Sequence, residues 1–205
     1  MGACHRRSGR SLARYFIETS ADDLSPLDDE VADAVTARSV LIYVADRHRV
    51  LNESFRVLRP GGRLSVFEPL NSFWGTSRSG DFCGYDLSAV AALAERVREM
   101  WQAPTRELFA LDPRSLAQAA RRAGFEAVDL TIEAAISTTP VLPRDCTAAL
   151  EYVPNPLAVS LGEAVATALT DAEAQKFIEA LRGQLESGRC ESRTAAVYLV
   201  ATRPR

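Results

Sequence analysis

The chain has 205 residues, 47% of them apolar, and its 27 acidic and 24 basic side chains leave a net charge of −3. That length suits one domain with a sizeable core, and the apolar share excludes wholesale disorder. The small net charge speaks against nucleic-acid binding and against a polybasic membrane anchor, and no apolar run is long enough to span a bilayer or to follow Arg6-Arg7 as a secretory signal core, so the reading is a soluble, cytoplasmic protein.

Residues 1–14 lack periodicity and are expected to be disordered. The four cysteines, Cys4, Cys83, Cys146 and Cys190, form no CxxC pair, and His5 and His48 are not placed to complete a metal site, so free thiols are expected. Tyr15–Ser20 is a possible short strand. The acidic stretch 21–30, with Ser25-Pro26, reads as a loop. The β-branched run 31–44 reads as a strand entering a turn. Asp46 then caps a helix whose apolar face is Val50, Leu51, Phe55 and Leu58, with Arg49 and Glu53 expected to pair on the other side. Pro60-Gly61-Gly62 stops that helix, Arg63–Glu68 follows as a strand, and 71–85 is a candidate mobile loop.

Leu87–Trp101 has helical spacing. The next helix is capped by Asp112, carries Pro113 at its first position and ends before Gly124. Residues 125–134 alternate apolar with polar, as on an edge strand. Residues 195–201 are apolar throughout, as in a central strand buried on both faces. Between them lie a helix over 156–169 and a second one opened by a Thr170/Glu173 capping box and closed by Gly188.

Alternating strands and helices make this an α/β sheet, in which ligands bind beyond the C-terminal ends of the strands. That rule singles out Ser20–Leu24, Arg38–Tyr43 and Glu68–Asn71. The stretches Ser20-Ala21-Asp22-Asp23-Leu24, Asp33–Val44 and above all Arg56-Val57-Leu58-Arg59-Pro60-Gly61-Gly62-Arg63-Leu64 resemble the second half of class I methyltransferases that use S-adenosylmethionine, over roughly residues 15–205. The resemblance implies a Rossmann-like sheet, present here in part as strands 3/4-5-7-6 with strand 7 antiparallel, helices on both faces and a helical lid inserted at about 138–188. It implies that Ser20, Ala21 and Asp22 approach the adenine, that Arg38 and Ser39 line the donor pocket, and that Glu68, Asn71 and Tyr85 face a small-molecule acceptor. Aromatics Phe73, Trp74, Phe82, Tyr85 and Trp101 are candidates for the acceptor pocket or for the packing of helices on the sheet.

Each candidate has a plainer role open to it. Asp22 and Asp23 suit a solvated loop, Arg38 suits an ion pair, and Glu68 suits a cap on backbone amides. The family usually places an acid where Ser20 stands. The glycine-rich loop and ribose-binding acid of the family belong to segments before strand 3, for which residues 1–14 leave no room. The chain is therefore expected to be an N-terminally truncated member that binds S-adenosylmethionine weakly or not at all. The alternative function is a non-catalytic interaction module that self-associates through the open edge of strand 4.

Overall fold

The computed structural model describes residues 15–74, 80–103, 108 and 110–205. The expected disorder of residues 1–14 and the middle of the 71–85 loop lie outside those residues. Tyr15–Ser20 forms no strand. Tyr15 and Phe16 stand 84% and 96% exposed, so no neighbouring strand or core holds that run in place.

Four strands form the main sheet: β1 (Ala32–Arg38), β2 (Leu58–Pro69), β5 (Glu126–Ser137) and β6 (Ser192–Thr202), in the order β1-β2-β6-β5. β1 and β2 are parallel, and β6 runs antiparallel to both β2 and β5. This is the expected 4-5-7-6 arrangement. Helix α1 (Arg47–Val57) makes the crossover from β1 to β2 and starts at Asp46, whose carboxylate accepts the Arg49 N–H. Its predicted Arg49–Glu53 pair gives way to Glu53 with Arg56, 2.9 Å apart, because Glu53 also accepts the Leu24 amide of the loop before β1. Pro60-Gly61-Gly62 falls inside β2. A Cβ on Gly62 would stand 2.8 Å from the Arg59 carbonyl oxygen, so only glycine lets this stretch lie against its neighbours.

Helix α3 (Pro113–Arg122) has the expected Asp112 cap, and Gly124 leaves it at φ +103°. It packs with α1 over Leu64, Val66, Val197, Leu199 and Ala201 to make one core, closed by an edge-to-face contact between Phe55 and Phe125 at 5.1 Å. Helices cover only this face among the described residues, where two covered faces were expected. The reason is visible in the strands. β1 and β2 point Thr36, Arg38, Arg63 and Ser65 the other way, all exposed, and even β6 leaves Tyr198 and Val200 38% and 43% exposed instead of burying both faces.

A second core lies toward the C-terminal ends of β1 and β2. It joins the two-residue strands β3 (Asp81–Phe82) and β4 (Tyr85–Asp86) with α2 (Ala91–Gln102), α4 (Cys146–Glu151), α5 (Leu161–Ala168) and α6 (Asp171–Ser187). Phe82, Tyr85, Phe177, Leu142, Leu161 and Leu181 are fully buried there. Helix α5 starts later than the apolar spacing suggested. Ser160 and Glu163 form a capping box, and leave Leu157 55% exposed in the preceding loop. Helix α6 keeps both of its predicted ends, Thr170/Glu173 and a left-handed Gly188.

Candidate functional site

A cavity of about 250 Å³ opens where the two cores meet, at the C-terminal ends of parallel β1 and β2. The sheet side supplies Ser39, Ile42, Tyr43, Pro69 and Asn71. The hairpin and helices supply Phe82, Cys83, Arg98, Trp101 and Tyr152.

The sheet side is built around Glu68. Its side chain is fully buried at the end of β2, and its two carboxylate oxygens accept the N–H groups of Val40 and Leu41, both at 2.9 Å, and of Ile42 at 3.3 Å. Three consecutive amides aimed at one carboxylate hold the 3-10 turn Leu41–Tyr43, and that turn presents Ile42 and Tyr43 to the cavity. Burial pushes the Glu68 carboxyl above the usual carboxylate range, against the three amides and the charge of Arg47, which hold it down. Ser39 precedes this turn at φ +53°, a left-handed conformation, with its N–H donating to the Phe67 carbonyl at 2.9 Å. Asn71 begins the 3-10 turn after β2 and donates its side-chain amide to the Leu108 carbonyl at 3.3 Å.

The opposite wall is aromatic. The rings of Phe82 and Trp101 lie 11° from parallel with centroids 6.0 Å apart, and Tyr152 meets Trp101 edge-on at 6.2 Å. The indole N–H of Trp101 donates to the Val159 carbonyl at 2.9 Å, which fixes the ring against the cavity. Arg98 donates to the Glu95 carboxylate and to the Asp81 carbonyl, and the Gly84 N–H donates to Asp81 Oδ1 at 3.0 Å. Burial pushes the Cys83 thiol up to about 12 and raises the Tyr152 phenol, so at neutral pH both are uncharged wall. Among the described residues no group of His, Cys, Asp and Glu is arranged to hold a metal ion, and no helix is long and apolar enough to cross a membrane.

The residues singled out in sequence do not all converge. Ser39 and Asn71 line the cavity, whereas Glu68 lies behind its wall and Tyr85 is buried in the second core. Ser20 bonds Asp22, and the loop that holds them is tied to α1 through the Leu24 amide on Glu53 and the Leu24 carbonyl on Arg56. Arg38 lies over the Phe67 ring at 4.9 Å, on the helix-free face of the sheet. Of Ser20, Ala21, Asp22, Arg38 and Ser39, only Ser39 lines the cavity. Sequence reasoning missed Tyr152, Arg98 and Cys83. The Cys83-Gly84 pair, both at positive φ in the β3–β4 turn, was the available signal.

Residues 3–66 match the family model of a methyltransferase domain. The ubiquinone/menaquinone biosynthesis C-methyltransferase UbiE of Cronobacter sakazakii is 35% identical over 96 residues, 40% of this chain and 38% of that relative. UbiE of Escherichia coli O1:K1 is 31% identical over 127 residues, 56% of this chain and 46% of the relative. The chain thus spans less than half the length of these curated relatives. Among solved structures, phosphoethanolamine N-methyltransferase 2 of Haemonchus contortus, in complex with S-adenosyl-L-methionine, superposes with a TM-score of 0.39 at 13% identity, covering 87% of this chain and 35% of that one.

Proposed function

We propose that this chain, with residues 3–66 matching the family model of a methyltransferase domain, is a class I methyltransferase that uses S-adenosyl-L-methionine, and that it supplies the acceptor side of methyl transfer to a small, flat ring of the quinol kind. The carrying observation is the cavity itself. It sits where open α/β sheets bind ligands, and its aromatic wall of Phe82, Trp101 and Tyr152 faces a polar edge of Ser39 and Asn71. The name of the UbiE relatives supports a ring carbon as the methylated atom.

The cofactor supplies an electrophilic methyl group. Of the donor-side candidates Ser20, Ala21, Asp22, Arg38 and Ser39, only Ser39 lines the cavity, so the contribution we assign to this chain lies with the acceptor. Phe82, Trp101 and Tyr152 stack against a ring and exclude water, and the amide-held turn Leu41–Tyr43 fixes the facing wall. The test offers the purified chain methyl-labelled cofactor with naphthoquinol and benzoquinol acceptors that lack a ring methyl. Label in the ring is the expected result. Label in none of them, while calorimetry reports the cofactor bound, overturns the reading. Cofactor affinity weaker than micromolar is expected, so the labelling uses the cofactor in large excess, and micromolar or tighter affinity by calorimetry overturns that part.

A second reading is a non-catalytic module that self-associates through strand edges. The observation in its favour is β1, which among the described residues pairs with β2 on one side only.

A further inference from the structure

We propose that the helix-free face of the main sheet binds a second copy of this chain, face to face in a two-fold dimer; this rests on the sheet alone and not on the methyl-transfer reading. The strand register defines the face. Arg38, Phe67, Tyr198 and Thr131 stand in one row across β1, β2, β6 and β5, and Thr36, Ser65, Val200 and Asp129 stand in the next. The middle is apolar. Phe67 and Tyr198 meet edge-to-face at 5.2 Å, and Tyr198 and Val200 are 38% and 43% exposed.

The flanks are charged with opposite signs. Arg38 and Arg63 lie on the β1–β2 half, Asp129 and Glu133 on the β5 half, all four exposed. None of the four forms an ion pair with a described residue. A surface of one sign would suit a membrane or a nucleic acid, whereas a face split into basic and acidic halves about an apolar centre is complementary to itself. A two-fold axis parallel to the strands, between β2 and β6, sets β1 of one copy against β5 of the other. Arg38 then stands opposite Thr131 of the second copy, between its Asp129 and Glu133, and Phe67 stands opposite Tyr198. Four strands about 4.8 Å apart and roughly seven residues long give a face of roughly 20 by 23 Å. That is the size of a weak, reversible contact, not an obligate one.

The test uses the full chain and two surface variants, one with an all-acidic face (R38E with R63E) and one with an all-basic face (D129R with E133R). Sedimentation equilibrium is expected to show a concentration-dependent dimer for the natural chain. Each variant alone is expected to associate at least about tenfold more weakly, and the two mixed in equal amounts are expected to form a heterodimer. A natural chain that stays monomeric to hundreds of micromolar overturns the proposal. So does a dimer indifferent to both charge reversals, as pairing through the β1 edge would give, and so does a mixture that fails to associate.

Discussion

Glu68 accepts the backbone N–H of Leu41 at 2.9 Å, from a side chain with no exposed surface. The contact joins the end of β2 to the turn after β1, and Val40 and Ile42 donate to the same carboxylate. Removing it strands three amides. Glu68→Ala is expected to destabilise the fold by about 3 kcal/mol or more, since each buried unsatisfied group costs roughly 1–3 kcal/mol. Glu68→Gln keeps one accepting oxygen and is expected to cost less than the alanine. Its pH dependence carries a sign. Burial raises the Glu68 carboxyl in the folded state, so its contribution is complete below the unfolded pKa and is lost as pH rises through the folded one. Urea titrations are expected to show the natural chain gaining stability over Glu68→Gln as pH falls from neutral toward the ordinary carboxylate range.

The β3–β4 turn is the second place where one residue decides the cavity wall. Gly84 sits at φ +87°, and a Cβ there would stand 2.6 Å from the Glu191 carbonyl oxygen. The same glycine's carbonyl accepts the Glu191 N–H at 2.9 Å, tying the hairpin to the start of β6. Gly84→Ala therefore combines backbone strain with a clash against backbone, and about 2–4 kcal/mol of lost stability is expected in urea unfolding. Gly183→Ala, with nothing within 4 Å of the added carbon and a position inside α6, is the control expected to be neutral or stabilising by up to about 1 kcal/mol.

The main sheet was legible because its signals are local. The apolar run at 195–201 placed a central strand, the alternation at 128–134 placed an edge strand, and Asp46, Asp112 with Pro113, and Gly188 marked helix ends by capping chemistry. The candidate site was only half legible. Ser39 and Asn71 follow from their position after parallel strands, but Tyr152 and Val141 reach the cavity from loops far along the chain. No local pattern encodes that meeting. Glu68 shows the same limit: its place at a strand end left a ligand contact and an amide cap both open, and only the turn folded over it decides for the cap. The empty face of the sheet was hidden for another reason. Apolar character at every position of 195–201 does not distinguish a strand covered twice from one whose Tyr198 and Val200 stay exposed.

Trp101 tests whether the aromatic wall binds a ring. Its indole stacks on Phe82 and donates to the Val159 carbonyl. Trp101→Phe keeps a ring but loses that hydrogen bond, and about 1–2 kcal/mol of stability is expected to go with it. Trp101→Ala is expected to cost about 3–5 kcal/mol by opening the core. Binding of a neutral bicyclic such as naphthalene-2-carboxamide, followed by calorimetry, is expected to survive in the Phe variant and to weaken at least about tenfold in the Ala variant if that protein remains folded by circular dichroism. Equal affinity in all three would mean that the ring binds elsewhere.

Two helices of the second core, α2 and α6, share a charge contact with a distinct pH signature. Arg96 of α2 donates to both oxygens of Glu173, at 2.7 and 3.2 Å, and Glu173 also accepts the backbone N–H and hydroxyl of Thr170 at the start of α6. The guanidinium first, and then the cap bonds, hold the Glu173 carboxyl down at about 2. A carboxyl depressed in the folded state contributes stability above its unfolded pKa and loses it as pH falls through the folded value. The contribution is therefore expected to be complete above about pH 5 and to fade between there and about pH 2. Glu173→Gln removes the charge while keeping a side chain of the same length. The natural chain is expected to exceed it in thermal midpoint at pH 7, by an amount that shrinks in high salt because the pair is partly exposed. The gap is expected to close as pH approaches 2, and a gap that stays constant from pH 7 to 2 would assign the effect to packing and not to the Arg96 charge.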